Sequence, residues 1–259
     1  MTKCTIKRSE LQKFLSSFGP GVEDLRLDVK ENGLVGGVAL STHFITQRVT
    51  VEQEEAGGII VADLAKALAF LRACTDDTVS LNQEVSDDKT GHLRISCGNS
   101  TVNLPPTQEI RSSKSLPVAT KLVEEASESN WETFGGNGLT CYGVIDINDL
   151  SQVTALGKVV GVDKPYQFTF VESNGEGVIR TGTAVSGQMF HKFHLSDASS
   201  TSDEEVVRTQ FGPWFPEVIA CLPPGKAEIY TGEGTVLVFN HQDKDCLLVV
   251  IDQDAGDDE

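Results

Sequence analysis

The chain has 259 residues, enough for two domains of ordinary size, each burying its own core. A hydrophobic content of 39% and a charged content of 23% exclude a disordered chain, and no apolar run approaches the roughly 20 residues of a membrane span. The net charge of −17 argues, at first sight, against nucleic acid as a partner.

After a first strand beginning near Cys4, residues 9–18 place Leu11, Phe14, Leu15 and Phe18 at the spacing of one helix face. Ser9 is the expected N-cap and Gly19-Pro20 the expected stop. Strands are predicted at 25–30, 33–41, 44–51 and 57–61, with Glu31-Asn32-Gly33 turning the first pair into a hairpin. A second helix over 62–74 buries Leu64, Leu68 and Leu71 and exposes Asp63, Lys66 and Arg72. Short strands at 78–83, 92–97 and 101–104 close this half.

From 105 to 138 the composition shifts to Ser, Glu, Lys, Pro and Gly, which predicts a connector with one short strand. The order then restarts. A strand over 139–145 leads to a helix capped by Asn148 or Asp149 and running to Val160, with Leu150, Val153, Leu156 and Val160 inward. Strands follow at 166–171, 177–181, 188–195 and 205–211. A short helix over 213–221 opens on Pro213 and Pro216, whose missing donors cost nothing in a first turn. Strands at 226–230, 236–240 and 246–251 finish the second half. The expectation is an α+β chain of two duplicated domains, 1–104 and 139–259, each with two helices packed on antiparallel sheets, joined by a linker over 105–138.

No catalytic constellation emerges. His191 and His194 lie three apart on a strand and point to opposite faces, so they cannot share a metal ion. P-loop, zinc-protease and nucleophile-elbow motifs are missing. The acidic clusters at 52–55, 203–205 and 252–259 lack calcium-loop spacing and read as solvated charge. Cys4, Cys74, Cys97, Cys141, Cys221 and Cys246 form no C-x-x-C pair and read as reduced thiols of an intracellular protein. The residues from Met1 to Ile6 lack the apolar stretch of a signal peptide. The expected chain is therefore not an enzyme and holds no metal or cofactor.

The duplicated order resembles the DNA sliding clamps, in particular the two-domain kind of proliferating cell nuclear antigen and the T4-type phages; bacterial beta clamps carry three such domains. The likeness spans nearly the whole chain. It is carried by GIIVADLAKAL at 58–68 followed by DDTVSL at 76–81, by STVNLPP at 100–106 with LPV at 116–118, by VIDINDL at 144–150, and by the acidic end DQDAGDDE at 252–259. The resemblance implies the clamp fold and a head-to-tail homotrimer that encircles double-stranded DNA without reading sequence. It also implies a processivity role, tethering a DNA polymerase after a clamp loader has opened the ring. Inner-wall residues would be Lys13, Lys66, Arg72 and Lys158, with Lys7 and Arg8 at the rim. A ring needs positive potential only on that wall, which weakens the charge objection, although these bases are sparse for a DNA channel and the fourth helix offers none. A partner-peptide pocket beside the linker would involve Val38, Leu40, Leu116, Val118, Leu122, Val249 and Ile251. The location would be the cytoplasm or nucleoid of a bacterial host if viral, or the nucleus if eukaryotic. The alternatives are a clamp-fold subunit of a heteromeric or checkpoint-type ring, and a non-DNA structural phage protein.

Overall fold

The computed structural model describes residues 1–86, 89–106, 114–153, 155, 164–183 and 187–251. Contacts divide the chain into two units, Met1–Leu40 with Ile45–Pro117, and Ser41–Phe44 with Val118–Glu259.

In the first unit the strands are β1 (Thr2–Lys7), β2 (Leu25–Lys30), β3 (Gly33–Ala39), β4 (His43–Thr50), β5 (Glu52–Glu55), β6 (Gly57–Val61), β7 (Thr78–Gln83), a small β8–β9 hairpin (Val85–Ser86, Lys89–Thr90), β10 (Leu93–Cys97) and β11 (Ser100–Leu104). They form antiparallel sheets in the orders β11-β10-β7-β1-β5 and β4-β3-β2-β6. Period-two alternation decides which face is buried: Leu25, Leu27 and Val29 point into the core while Arg26, Asp28 and Lys30 face water. Glu31 and Asn32 both adopt positive φ, 51° and 57°, the two-residue turn whose twist matches a hairpin. Gly36 lets Phe18 close over β3, because a Cβ there would lie 2.6 Å from the ring.

Helix α1 (Arg8–Ser16) starts one residue before the expected cap, and Ser9 is not its N-cap. Lys7 takes that position without a side-chain bond. Its start is anchored instead by the Arg8 amide, which donates to the Asp77 carbonyl at 2.6 Å. The far end stops before Phe18, because the Ser17 hydroxyl donates to Gln47 and the Gln47 amide donates back to the Ser17 carbonyl, both at 2.7 Å. Helix α2 (Leu64–Ala73) is capped by Asp63, whose carboxylate accepts from the Lys66 amide at 2.8 Å. Its buried face is Leu64, Ala67 and Leu71, with Leu68 only half-buried.

The linker departs most from expectation. It carries a helix, α3 (Leu116–Glu128), and a small hairpin of β12 (Thr133–Phe134) and β13 (Asn137–Gly138). Leu116, Ala119, Leu122, Val123 and Ala126 recur at helical spacing, and Pro117 fits a first turn. Only Ala126 of this helix is fully buried.

The second unit contains β14 (Cys141–Asp146), β15 (Tyr166–Val171), β16 (Glu176–Thr183), β17 (Gly187–His194), β18 (Ser196–Ser200), β19 (Val206–Phe211), β20 (Lys226–Thr231), β21 (Val236–His241) and β22 (Cys246–Ile251). Its sheets run β22-β21-β20-β14-β18 and β17-β16-β15-β19. Strand for strand, these repeat the two sheets of the first unit. The repeat includes β5 and β18, which the sequence pattern does not predict, because both are polar edge strands without apolar alternation.

After β14 the chain opens a helical segment as a tight turn, Ile147–Leu150, that continues through Val153. Its cap is Asp146, not Asn148 or Asp149: the Asp146 carboxylate accepts from the Asn148 amide at 3.0 Å. Leu156, Lys158 and Val160 lie outside the described residues. The short helix Phe215–Ile219 is shorter than expected and is pinned by Phe215 stacked on Phe211 at 4.6 Å.

All six cysteines are free. Burial pushes the Cys4 thiol up to about 11, with the Glu54 carboxylate adding to it, and burial pushes Cys246 up to about 12. Both thiols hold their protons in the folded chain above the pH at which an unfolded thiol, near 9.0, loses its own. Their stabilising contribution is complete below pH 9 and is lost as pH rises through 11 to 12. Melting scans between neutral pH and pH 11 should show a falling midpoint. Serine at both positions should flatten that fall, and an unchanged slope would refute the assignment.

Candidate nucleic-acid interface and partner surfaces

Helices α1 and α2 pack side by side in the first unit and turn their polar faces outward. On that surface Lys13, Lys66 and Arg72 are exposed, and among the described residues none of their side chains has a hydrogen-bond or ion-pair partner. The α1 surface also carries Lys7, exposed and loosely paired with Glu10 at 3.8 Å, a contact of negligible net worth in water. No acidic side chain follows the Asp63 cap along α2, so the α2 face is purely cationic. The helix ends reinforce this only in part: Arg72 sits in the last turn of α2, where the dipole favours a cation, so less of its charge projects outward.

Arg8 does something else. Its Nε donates to the Asp76 carbonyl at 3.0 Å and its Nη1 to the Leu71 carbonyl at 3.3 Å. It therefore clasps the start of α1 to the end of α2 and is not a free cation at a rim. Arg8→Met should lower stability by about 1–2 kcal/mol, since two carbonyls lose charged donors. Urea unfolding would show it. A variant equal to the parent would mean that water replaces the clasp.

On the corresponding surface of the second unit the charges seen among the described residues are acidic. Asp146, Asp149 and Glu217 are exposed along its two helical segments, with Ser151 and Gln152 between them. Lys158, the base expected there, lies outside the described residues. Between the segments is an apolar cleft of about 370 Å³ bordered by Ile147, Leu150, Ile219 and Leu222.

The seven residues expected at a partner pocket differ in access. Val38 and Val249 have no exposed surface and serve the strand cores, so they offer nothing to a ligand. Leu40, Leu122 and Ile251 are half-buried. Leu116 rests on Gly37, where a Cβ would lie 2.9 Å from its methyl group. Val118, at 66% exposure, is the one large apolar side chain of α3 fully open to solvent.

Two features carry no signal strong enough to single them out from the sequence. Phe190, 57% exposed, stands on β17, which pairs only with β16 among the described strands. Trp131, Tyr230 and Glu228 line a cavity of about 440 Å³ under α3. The alternation Glu228-Ile229-Tyr230, with Ile229 buried, could have shown that Glu228 and Tyr230 share the outward face. His191 and His194 do not meet: His191 bonds the Asp149 carbonyl and His194 is exposed. Among the described residues no group of three or more His, Cys, Asp or Glu is placed to hold a metal. No helix of the described residues is long and apolar enough to cross a membrane.

No protein-family model matches the sequence, and no curated protein matches it significantly. Solved structures do match by shape. A putative DNA polymerase III beta subunit from Eubacterium rectale superposes with a TM-score of 0.72 at 10% identity, covering 97% of this chain and 65% of that one. The Helicobacter pylori beta clamp bound to a DNA ligase peptide gives 0.67 at 13% identity, covering 97% and 66%. PCNA from A. fulgidus, bound to the C-terminal region of FEN-1, gives 0.66 at 13% identity and covers 97% of both chains. The chain thus spans about two thirds of the bacterial structures and nearly the whole of the archaeal one. Its fold is the DNA-clamp fold, mixed α+β with antiparallel sheets.

Proposed function

We propose that this chain is a DNA sliding clamp: a closed ring of identical subunits that encircles duplex DNA and tethers a polymerase. The observation that carries the reading is the strand-for-strand duplication, joined to a cationic helix face on a protein of net charge −17. A chain so acidic overall that keeps Lys13, Lys66 and Arg72 exposed on one helix layer, with no partner among the described residues, has segregated its charge. Duplex DNA held by such a face is held loosely and without base readout, which permits sliding. Two domains, 1–104 and 139–259, with the linker between them, supply the repeated arc of the ring.

The sheet edges support head-to-tail closure. At the end of β22 the Ile251 amide donates at 3.0 Å to the carbonyl of Thr42, the residue before β4, within the second unit. By the duplication β11 is the counterpart of β22, and β17 the counterpart of β4. Among the described strands β11 pairs only with β10 and β17 only with β16, so a neighbouring copy can supply each missing partner.

Lys13, Lys66, Arg72 and Lys158 are assigned to the duplex, with Lys7 as a peripheral contact. Val118 and Leu122 on α3 are assigned to peptides of polymerase, clamp loader and other DNA-processing enzymes, in line with the peptide-bound clamps of like fold. No catalytic step is needed, because retention is topological. Light scattering over a concentration series tests the ring: a species near three times 27.9 kDa supports it, and a monomer at every concentration overturns the homomeric form.

A further inference from the structure

We propose that Cys74 and Cys97 form a modification site in the first unit: a dithiol that peroxides close into a disulfide between the end of α2 and β10. Cys74 follows the last residue of α2 and is half-buried, open to a small oxidant. Cys97 ends β10 and is buried. Two contacts lay the segment after α2 on the turn after β10. The Cys97 thiol donates to the Asp76 carbonyl at 3.4 Å. The Asp76 carboxylate covers Gly98 so closely that a Cβ there has no room. Between these contacts the two thiols meet, joined by a hydrogen bond.

The backbone on both sides is held. Arg8 takes the carbonyls of Leu71 at 3.3 Å and Asp76 at 3.0 Å, the residues that bracket Cys74. The Cys74 amide closes α2 on the Phe70 carbonyl at 3.1 Å. Strand β10 is paired on both edges, with β7 and β11, which fixes Cys97. Thiols already in contact on fixed backbone meet the condition for bridging without chain movement. Access sets the order of the chemistry. The Cys74 thiolate attacks hydrogen peroxide: an S–O bond forms, the O–O bond breaks, and water leaves a sulfenic acid on Cys74. The Cys97 sulfur then attacks the Cys74 sulfur; the S–S bond forms, the S–O bond breaks, and a second water carries off the last proton. Two thiols thus lose two electrons and two protons, and one peroxide becomes two waters. Burial, and then the neighbouring Cys74 thiol, raise Cys97 above an ordinary thiol, which suits it to the second step rather than the first. The bridge fastens the last turn of α2, which carries Arg72, to the sheet. The site lies within the first unit and does not depend on the clamp reading.

The test uses the full chain without DNA or polymerase. The reduced protein is treated with a modest excess of hydrogen peroxide in native buffer. It is then alkylated with iodoacetamide in urea and digested with trypsin without reduction. Mass spectrometry should find peptide 73–89 joined to peptide 95–111, two hydrogens lighter than the free pair. Two of the six thiols should disappear with it and return on adding dithiothreitol. The oxidised chain should melt several degrees above the reduced one, since the bridge restricts the unfolded state. Cys74→Ser should lose both the joined peptide and the rise in midpoint. Recovery of Cys74 and Cys97 as separate peptides would overturn the proposal, whether Cys74 is alkylated or carries a sulfinic acid. So would a link from Cys74 to any other cysteine, or a link to Cys97 that forms only in urea. A lower midpoint after oxidation would show that closure distorts the fold, and would also overturn it. Because the mapping is done on the unmodified chain, the answer does not hang on the variant folding.

Discussion

Replacing Phe190 by Asp should abolish self-assembly while leaving the subunit folded. Phe190 is 57% exposed on an edge strand, and the neighbouring positions on its face, Gln188 and Lys192, are polar. One exposed phenylalanine needs no explanation by itself. On an edge that pairs only with β16 among the described strands, it is where the proposed ring would have a second copy continue the sheet. Burying the side chain there is worth about 1.5–3 kcal/mol per junction, and a carboxylate in its place adds a desolvation cost of similar size. Each subunit contributes the residue to one junction, so a ring loses the term at every joint. Together this predicts at least a hundredfold loss in association at each interface. Light scattering of Phe190→Asp at concentrations where the parent assembles should give only the 27.9 kDa chain, with far-UV circular dichroism unchanged. A variant that keeps the parent mass would show that β17 is not the joint.

Much of this fold is legible in period-two and period-3.6 patterning. Strands 25–30, 57–61, 78–83, 166–171 and 246–251 begin and end where alternation or apolar run says they should. The boundaries of α1 are less legible, because what anchors them comes from elsewhere in the chain. Ser9 has the chemistry of a cap, yet α1 is anchored through Asp77, and Gln47 stops it from a different strand. The polar edges β5 and β18 carry no apolar signal at all, since their second face has no core to meet. Helix α3 does carry one, but Pro117 and the Ser- and Glu-rich surroundings mask it. For the site, charge type is legible and role is not. Lys13, Lys66 and Arg72 stand out as outward cations, whereas nothing near Arg8 in sequence reveals that Leu71 and Asp76 take its donors. Val38 and Val249 look available only because alternation cannot tell a face covered by another element from one open to water.

The second large effect concerns the cationic helix face. Alanine at Lys13, Lys66, Arg72 and Lys158 together should cut duplex binding at least tenfold at moderate salt and leave the native mass unchanged. Each cation that meets a phosphate releases counterion, so the slope of log affinity against log salt should shrink by about 0.9 for each phosphate left without its cation. Three of the four side chains are exposed and have no partner among the described residues, so folding should not depend on them. The second unit sharpens the expectation. Among the described residues the helical surface of that unit carries Asp146, Asp149 and Glu217, so the first unit should supply most of the attraction. Restoring only Lys13 and Lys66 should therefore recover most of the slope. Placing lysine at Asp149 and Glu217 in the parent should instead tighten binding and slow sliding, by putting cations where the parent has carboxylates. Anisotropy of a labelled duplex across a salt series measures the first effect, and retention on nicked circular against linear DNA measures the second. If the fourfold alanine variant binds duplex with the parent's affinity and salt slope, the helix face is an ordinary solvated surface and the duplex, if bound at all, is held elsewhere.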